Sequence, residues 1–363
     1  MATDPRSAWT PDWSVAPGDL LVEALEERGM TQAELARRIG RPLKTISEIA
    51  NGKASITPDT AIQLERALGI SASFWNGLET RYREAVALER SRRALESEIG
   101  WLSNFPMSEL ISRGLIPAGL QASDRLAALL SFFGVANPAA WQVNWERSAG
   151  SYRLAKAYES NEYALAIWLR WGEKEAERVR TRVFDAVRFE AVLREARGLS
   201  RLTVLAMATE RLRDLAADAG VVVVVIPELP GARVSGAARW LRSDRALIQL
   251  SLRYLSDDQF WFSFFHEAGH LLRGKGKVEY VEDLDAADDN GDEQIANSYA
   301  RNLLLPPASY DRFVAAKDFS ANAVEEYADT EGLSAGIVVG RLQRDALVTK
   351  SQLNHLKRPY SPR

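Results

Sequence analysis

Residues 260–272 read FWFSFFHEAGHLL, with two histidines four apart and a glutamate beside the first, inside an otherwise apolar run. Positions four apart share one face of an α-helix. A helix that is apolar on nearly every side has to lie inside a core. The fold must therefore enclose this helix while accommodating His266, Glu267 and His270. Buried polar groups need partners, and one divalent cation can serve several of them together. Zinc suits such a set: it accepts two imidazoles and a third protein donor and keeps one position for water. Glu267, next to the first imidazole, stands where it can take a proton from that water.

The chain of 363 residues has no cysteine and three histidines, so the third donor is an oxygen or the one remaining imidazole. His355 lies in the basic segment LNHLKRPY and reads as a solvated helix residue. Glu293 opens EQIANSYARNLLLP, in which Ala296, Ala300 and Leu303/Leu304 form an apolar stripe suited to packing on the motif helix. Small alanines there would let the two helices approach closely. Asp292 and the other acids of 279–293 compete for the role, although most of that run reads as a solvated loop separating two helices.

The lack of cysteine also excludes disulfides, thiolate metal sites and cysteine catalysis, and agrees with a reducing, cytoplasmic setting. MATDPRSAWTPDW has no basic start and apolar run, so a signal peptide is not expected. The longest aliphatic run, Val221 to Ile226, is far short of the roughly 20 residues of a membrane span and reads as a buried strand. No membrane association is expected. A net charge of −3 argues against indiscriminate nucleic-acid binding but leaves local basic faces open.

The fold class expected is mainly α with a small β-sheet (α+β). Residues 1–14 read as a flexible tail, 15–80 as a small helical domain and 81–198 as a helical linker domain. A catalytic domain follows at 199–320, and a C-terminal helical segment at 321–363. GVVVVVIPELPG, VSGAARWL and RALIQLSL predict roughly three strands. Helical periodicity predicts helices over 173–197, 201–219, 257–272 and 292–304. Trp101, Trp141, Trp145, Trp168 and Trp171 read as core. Arg178, Arg180, Arg182, Arg188, Arg194 and Arg197 read as a solvated helix surface balanced by glutamates.

In the N-terminal domain, Thr31 is placed to cap a helix carrying Ala33, Leu35 and Ala36, with Glu34 completing a capping box. Gly40 permits a sharp turn and Pro42 starts the next helix. There Ile46 and Ile49 face inward, which leaves Lys44, Thr45, Ser47 and Glu48 for a DNA major groove. Gln32, Arg41 and Lys53 complete the expected DNA-binding set. Residues 37–53 hold Arg37, Arg38, Arg41, Lys44 and Lys53 against Glu48 alone, a concentrated patch of the kind phosphates attract.

TQAELARRIGRPLKTISEIANGKASITPDTAIQLERALG resembles the XRE/Cro-type helix-turn-helix, and 16–80 as a whole is similar to HigA-type antitoxins. That resemblance implies double-stranded operator DNA as a partner and a homodimer on two-fold sites. Residues 202–306 resemble the ImmA/IrrE family of zinc metallopeptidases, through the strand-rich lead-in, FFHEAGHLL and E-x-x-A-N-x-(aromatic)-A-x-x-L-L-x-P. This second resemblance implies a zincin-like domain with His266, His270 and Glu293 as zinc ligands and Glu267 as general base. Tyr299 stands where that family often has Phe, and Leu305 where it often has Met. Asn297, one turn after Glu293, is a candidate partner for a ligand. The implied activity is a zinc metalloendopeptidase acting on a helix-turn-helix repressor or antitoxin-like protein, in trans or on itself, to control transcription. The alternative is a HigA-like repressor or antitoxin whose second domain acts as a sensor or interaction module without proteolysis.

Overall fold

The three strands Val221–Val225, Gly236–Arg242 and Arg245–Leu250 are buried on both faces over most of their length, and the two-residue alternation of side chains sorts those faces. The computed structural model describes residues 15–154, 161–253, 256–273, 279–282 and 291–360. The expected tail 1–14 lies outside the described residues.

The chain divides into two units, residues 1–99 with 121–124 and residues 100–120 with 125–363. The first unit contains α1 (Pro17–Glu26), α2 (Gln32–Ile39), α3 (Leu43–Ala50), α4 (Pro58–Leu68) and α5 (Ala72–Glu96). Leu21, Leu35, Ile46, Ile49, Leu64 and Trp75 form its core, each 2% exposed or less. Gly18 lets α1 cross the end of α3, since a Cβ there would lie 2.5 Å from the Ile49 carbonyl oxygen. Glu79, buried on α5, accepts from the Ile56 amide at 3.1 Å and from Arg83 Nε at 2.6 Å, tying α5 to the start of α4. α5 thus runs on past residue 80, where a domain boundary was expected.

The second unit includes α6 (Met107–Ser112), α7 (Ala122–Phe133) from residue 125 onward, α8 (Pro138–Ser151), α9 (Glu162–Glu177), α10 (Ala186–Leu199) and α11 (Leu205–Asp218). Its sheet comprises β1 (Tyr152–Leu154), β2 (Val221–Val225), β3 (Gly236–Arg242), β4 (Arg245–Leu250) and β5 (Glu279–Glu282), in the order β1-β5-β3-β4-β2. β3 runs antiparallel to β4 and β5, while β2 pairs with β4 in parallel. The three expected strands, β2, β3 and β4, form one side of it with β2 at the edge; β5 and β1 extend the other side by segments too brief to show a pattern. The remaining helices are α12 (Asp257–Arg273), α13 (Gly291–Leu304), α14 (Pro307–Ala315), α15 (Ala321–Glu331) and α16 (Ala335–Arg344).

Val221, Val223, Ala238, Ala246 and Ile248 share a core with Phe260, Trp261, Phe264, Phe265 and Ala268 of α12. The opposite face meets α9. There Gln249 donates to the Trp168 carbonyl at 2.6 Å, Trp168 Nε1 donates to the Ile226 carbonyl at 3.0 Å, and buried Arg239 reaches Glu173 at 2.8 Å and the Leu169 carbonyl. The expected linker domain 81–198 is therefore not a body of its own: its start continues α5 in the first unit, and α9 supplies one layer of the sheet's packing in the second. The expected C-terminal segment 321–363 is likewise, as far as residue 360, part of this core, through Val324, Ala328, Ile337, Val338 and Leu342.

The single helix expected over 173–197 is broken at 178–185, where Arg182 and Phe184 amides donate to the carbonyls of Ala217 and Asp244. Two of its arginines are balanced by local glutamates, Arg178 by Glu175 at 2.9 Å and Arg194 by Glu190 at 3.4 Å; Arg182 instead pairs with Asp218 at 3.2 Å, and Arg197 crosses to Glu331 at 2.6 Å. Trp141, Trp145 and Trp168 are buried, and Trp141 stacks on both Trp145 and Tyr163. Ala122–Glu146 has a length and mean hydropathy, 1.3, that would allow a span, but Gly134 and Pro138 divide it into α7 and α8, which bury Leu126, Leu129 and Trp141.

The α9 contact yields a stability prediction. A Cβ on Gly172 would lie 1.8 Å from Gln249 Oε1, inside a buried polar network. Overpacking plus one lost buried hydrogen bond should cost about 3 kcal/mol. Calorimetry of Gly172→Ala should show the second unit melting roughly 5–10 °C lower. Gly198→Ala, where a Cβ meets nothing within 4 Å, should melt like the wild type.

Candidate functional site

α12 begins at Asp257 and Asp258, acids that favour a helix N-terminus. Both are buried and both anchor the C-terminal segment. Asp257 accepts from Ser334 Oγ and, at 3.0 Å, from the Arg358 amide; Asp258 accepts from Lys357 Nζ at 2.6 Å. Burial raises the Asp257 carboxyl above the usual range, with the neighbouring Asp258 charge adding to it and the three hydrogen bonds opposing it. Trp261 Nε1 donates to Tyr360 OH at 3.0 Å one turn further along. These ties fix the helix before it reaches the histidines.

His266, Glu267 and His270 are 0%, 0% and 3% exposed. His266 Nε2 lies 2.9 Å from His270 Nε2, and Glu293 sets Oε2 3.0 Å from the first and Oε1 3.3 Å from the second. Donors held at about 2.0–2.1 Å by a tetrahedral zinc are themselves separated by roughly 3.3 Å. The three groups thus converge at the spacing one small cation requires, and all three ligand atoms lie within 4.8 Å of one another. Burial opposes ionisation of Glu293, yet hydrogen bonds and charge from His266 and His270 outweigh it and hold the carboxyl at about 2. An anionic donor facing two imidazole nitrogens is the chemistry zinc prefers.

Of the competing donors, Asp292 turns to Arg273 at 3.8 Å, and His355 is exposed in a short 3-10 helix, Asn354–Leu356. Residues 283–290, which hold the other competing acids, lie outside the described residues. Asn297 Oδ1 is buried with no hydrogen-bond partner among the described residues, so that oxygen supports neither imidazole.

Two glycines complete the site. A Cβ on Gly269 would come 3.2 Å from the Tyr299 ring and 3.4 Å from Ala296 Cα. With Ala296 and Ala300 fully buried opposite, this lets α13 bring Glu293 up to α12. Gly236, on the α12 face of β3, leaves the room that Glu267 occupies, since a Cβ there would lie 2.7 Å from Oε1. Sequence reasoning passed over Gly236; its signal was a glycine inside a strand, which marks a close approach.

In the first unit, Thr31 caps α2 by accepting from the Glu34 amide at 3.2 Å. The reciprocal half of the expected capping box is replaced, because Glu34 accepts from Arg38 at 2.5 Å instead. Gly40 ends α2 in the left-handed region, φ 68°, and Pro42 precedes α3. Ile46 and Ile49 point inward, at 0% and 2% exposure. Lys44 and Lys53 are exposed, and Gln32, Arg41, Thr45, Ser47 and Glu48 are partly so. Arg41 Nε donates to Gln63 at 2.9 Å, and Lys44 pairs loosely with Glu48 at 3.8 Å.

A helix-turn-helix family profile matches residues 21–75. An uncharacterized HTH-type transcriptional regulator of Escherichia coli (strain K12), YddM, is 35% identical over 71 residues, 20% of this chain and 76% of its own. Virulence-associated protein A of Dichelobacter nodosus is 33% identical over 97 residues, 26% of this chain and 91% of its own. Among solved structures, an addiction module antidote protein of the HigA family from Coxiella burnetii is 34% identical, covering 23% of this chain and 94% of its own, with a TM-score of 0.22.

Proposed function

The chain belongs to the helix-turn-helix family through residues 21–75, and on that footing we propose that it is a DNA-binding transcriptional regulator whose second unit is a zinc-dependent endopeptidase. The observation that carries the enzymatic half is the convergence of His266, His270 and Glu293 on one point inside the protein. Those three residues would hold the ion. Bound there, zinc supplies Lewis acidity and lowers the pKa of a water towards about 7. Glu267 accepts a proton from the attacking water and returns it to the leaving amine. The apolar walls around α12 exclude bulk water and strengthen every charge interaction inside. The ImmA/IrrE resemblance of FFHEAGHLL and the segment after Glu293 points to a helix-turn-helix repressor or antitoxin-like protein as the substrate.

The regulatory half rests on the α2–Gly40–α3 geometry and the basic patch around it. Double-stranded operator DNA is the partner, bound by a homodimer on a two-fold site, with Lys44 and Arg41 among the contacts. Such a protein works in the cytoplasm.

The test combines both halves on the full chain. Incubated with zinc and a neighbouring helix-turn-helix repressor, the protein should cut it into discrete fragments. A chelator should abolish cutting, added zinc should restore it, and operator binding should persist throughout. Operator binding with no cleavage by zinc-loaded protein would instead make the second unit a sensor.

A further inference from the structure

On the far side of Phe262, one turn before His266, α12, α13 and α16 enclose a cleft of about 50 Å³ that is open to solvent on one side. Its floor is apolar, formed by Phe262, Leu304, Leu305 and Ile337, the last three at most 4% exposed. Its rim carries three guanidinium groups, Arg301, Arg341 and Arg344. The acid in the lining, Asp258, is engaged by Lys357 at 2.6 Å. Arg341 has a carboxylate of its own, Asp345 at 2.7 Å, and packs over the Tyr310 ring. Neither Arg301 nor Arg344 has a carboxylate partner among the described residues, and Arg344 lies over the Phe262 ring at 5.3 Å. Burial, together with repulsion from Arg344 and Arg341, holds Arg301 below the usual arginine range. Cations crowded in this way gain from an anion placed between them.

We propose that this cleft binds a small organic anion, a phosphate or carboxylate carried on an apolar group, with the headgroup between Arg301 and Arg344 and the apolar part on Phe262, Leu304 and Ile337. The charge selects the headgroup, and the greasy floor disfavours a fully hydrated inorganic ion. This site is distinct from the three-ligand cluster and does not depend on zinc being there. Phe262 does connect the two, because its ring lies 6.2 Å from that of His266.

The test is calorimetric titration of the full chain, pretreated with chelator, using phenyl phosphate, hexanoate, inorganic phosphate and phenol. Phenyl phosphate or hexanoate should bind with a Kd below about 1 mM, and the tighter of the two identifies the headgroup. Inorganic phosphate should bind at least tenfold more weakly, and phenol should give no signal. Arg344→Gln, a change at an exposed position, should weaken binding at least tenfold, as should Arg301→Gln if it folds. Affinity unchanged in Arg344→Gln, or binding that is lost once metal is chelated, would overturn the proposal.

Discussion

Glu267→Gln is expected to retain one zinc per chain and to cleave the repressor substrate about 10²- to 10⁴-fold more slowly, the range that general acid–base catalysis contributes. The amide matches the carboxylate in shape, so the room left by Gly236 is filled as before and α12 keeps its packing. The amide cannot take up a proton, and the water and the leaving amine lose their shuttle. His266, His270 and Glu293 are untouched, so metal content should not change. Single-turnover cleavage measured beside metal analysis separates the two effects. A variant that cut at the wild-type rate would remove Glu267 from the chemistry, and one that lost its metal would show the carboxylate to be structural.

Replacing Arg41, Lys44 and Lys53 together by alanine is expected to weaken operator binding by about 100-fold near physiological salt. If each of the three meets a phosphate, the slope of log affinity against log salt should fall by about 3. The fold should survive, because none of the three side chains is buried and the Ile46–Ile49 core lies on the other face of α3. Lys44 is held by Glu48 only at 3.8 Å on an exposed surface, an interaction worth at most about 0.5 kcal/mol, so phosphate readily displaces it. Fluorescence anisotropy at several salt concentrations reads both quantities. An unchanged slope would place the DNA contacts elsewhere or make the module a protein-docking surface.

Periodicity and punctuation carried much of the fold in the sequence. Val221–Val225, the Ser-Asp turn before Arg245 and the apolar run at 260–265 each pointed to one structure, and each formed it. What escaped was non-local. Nothing near residue 168 announces that α9 will cover a sheet 50 residues away, because its buried tryptophans satisfy any core. The helix expected over 173–197 broke because backbone amides of Arg182 and Phe184 found carbonyls at Ala217 and Asp244, partners invisible to a local pattern. Two short strands were missed because three or four residues cannot display alternation. At the site, His266 and His270 were legible from spacing alone. Glu293 stood out from Asp292 only through a family resemblance, and the geometry that separates them is the direction each takes from adjacent positions on α13. Gly269 and Gly236 show why residues without side chains are easily overlooked: their contribution is the space they leave.

The most direct test of the central claim is a zinc-edge anomalous difference map from crystals of the full chain. One peak bonded to His266 Nε2, His270 Nε2 and the Glu293 carboxylate, with a remaining position for water, is the expected result. A zinc-loaded protein whose metal lies elsewhere, or a Glu293 side chain turned away from the imidazoles with no other acid in its place, would contradict it.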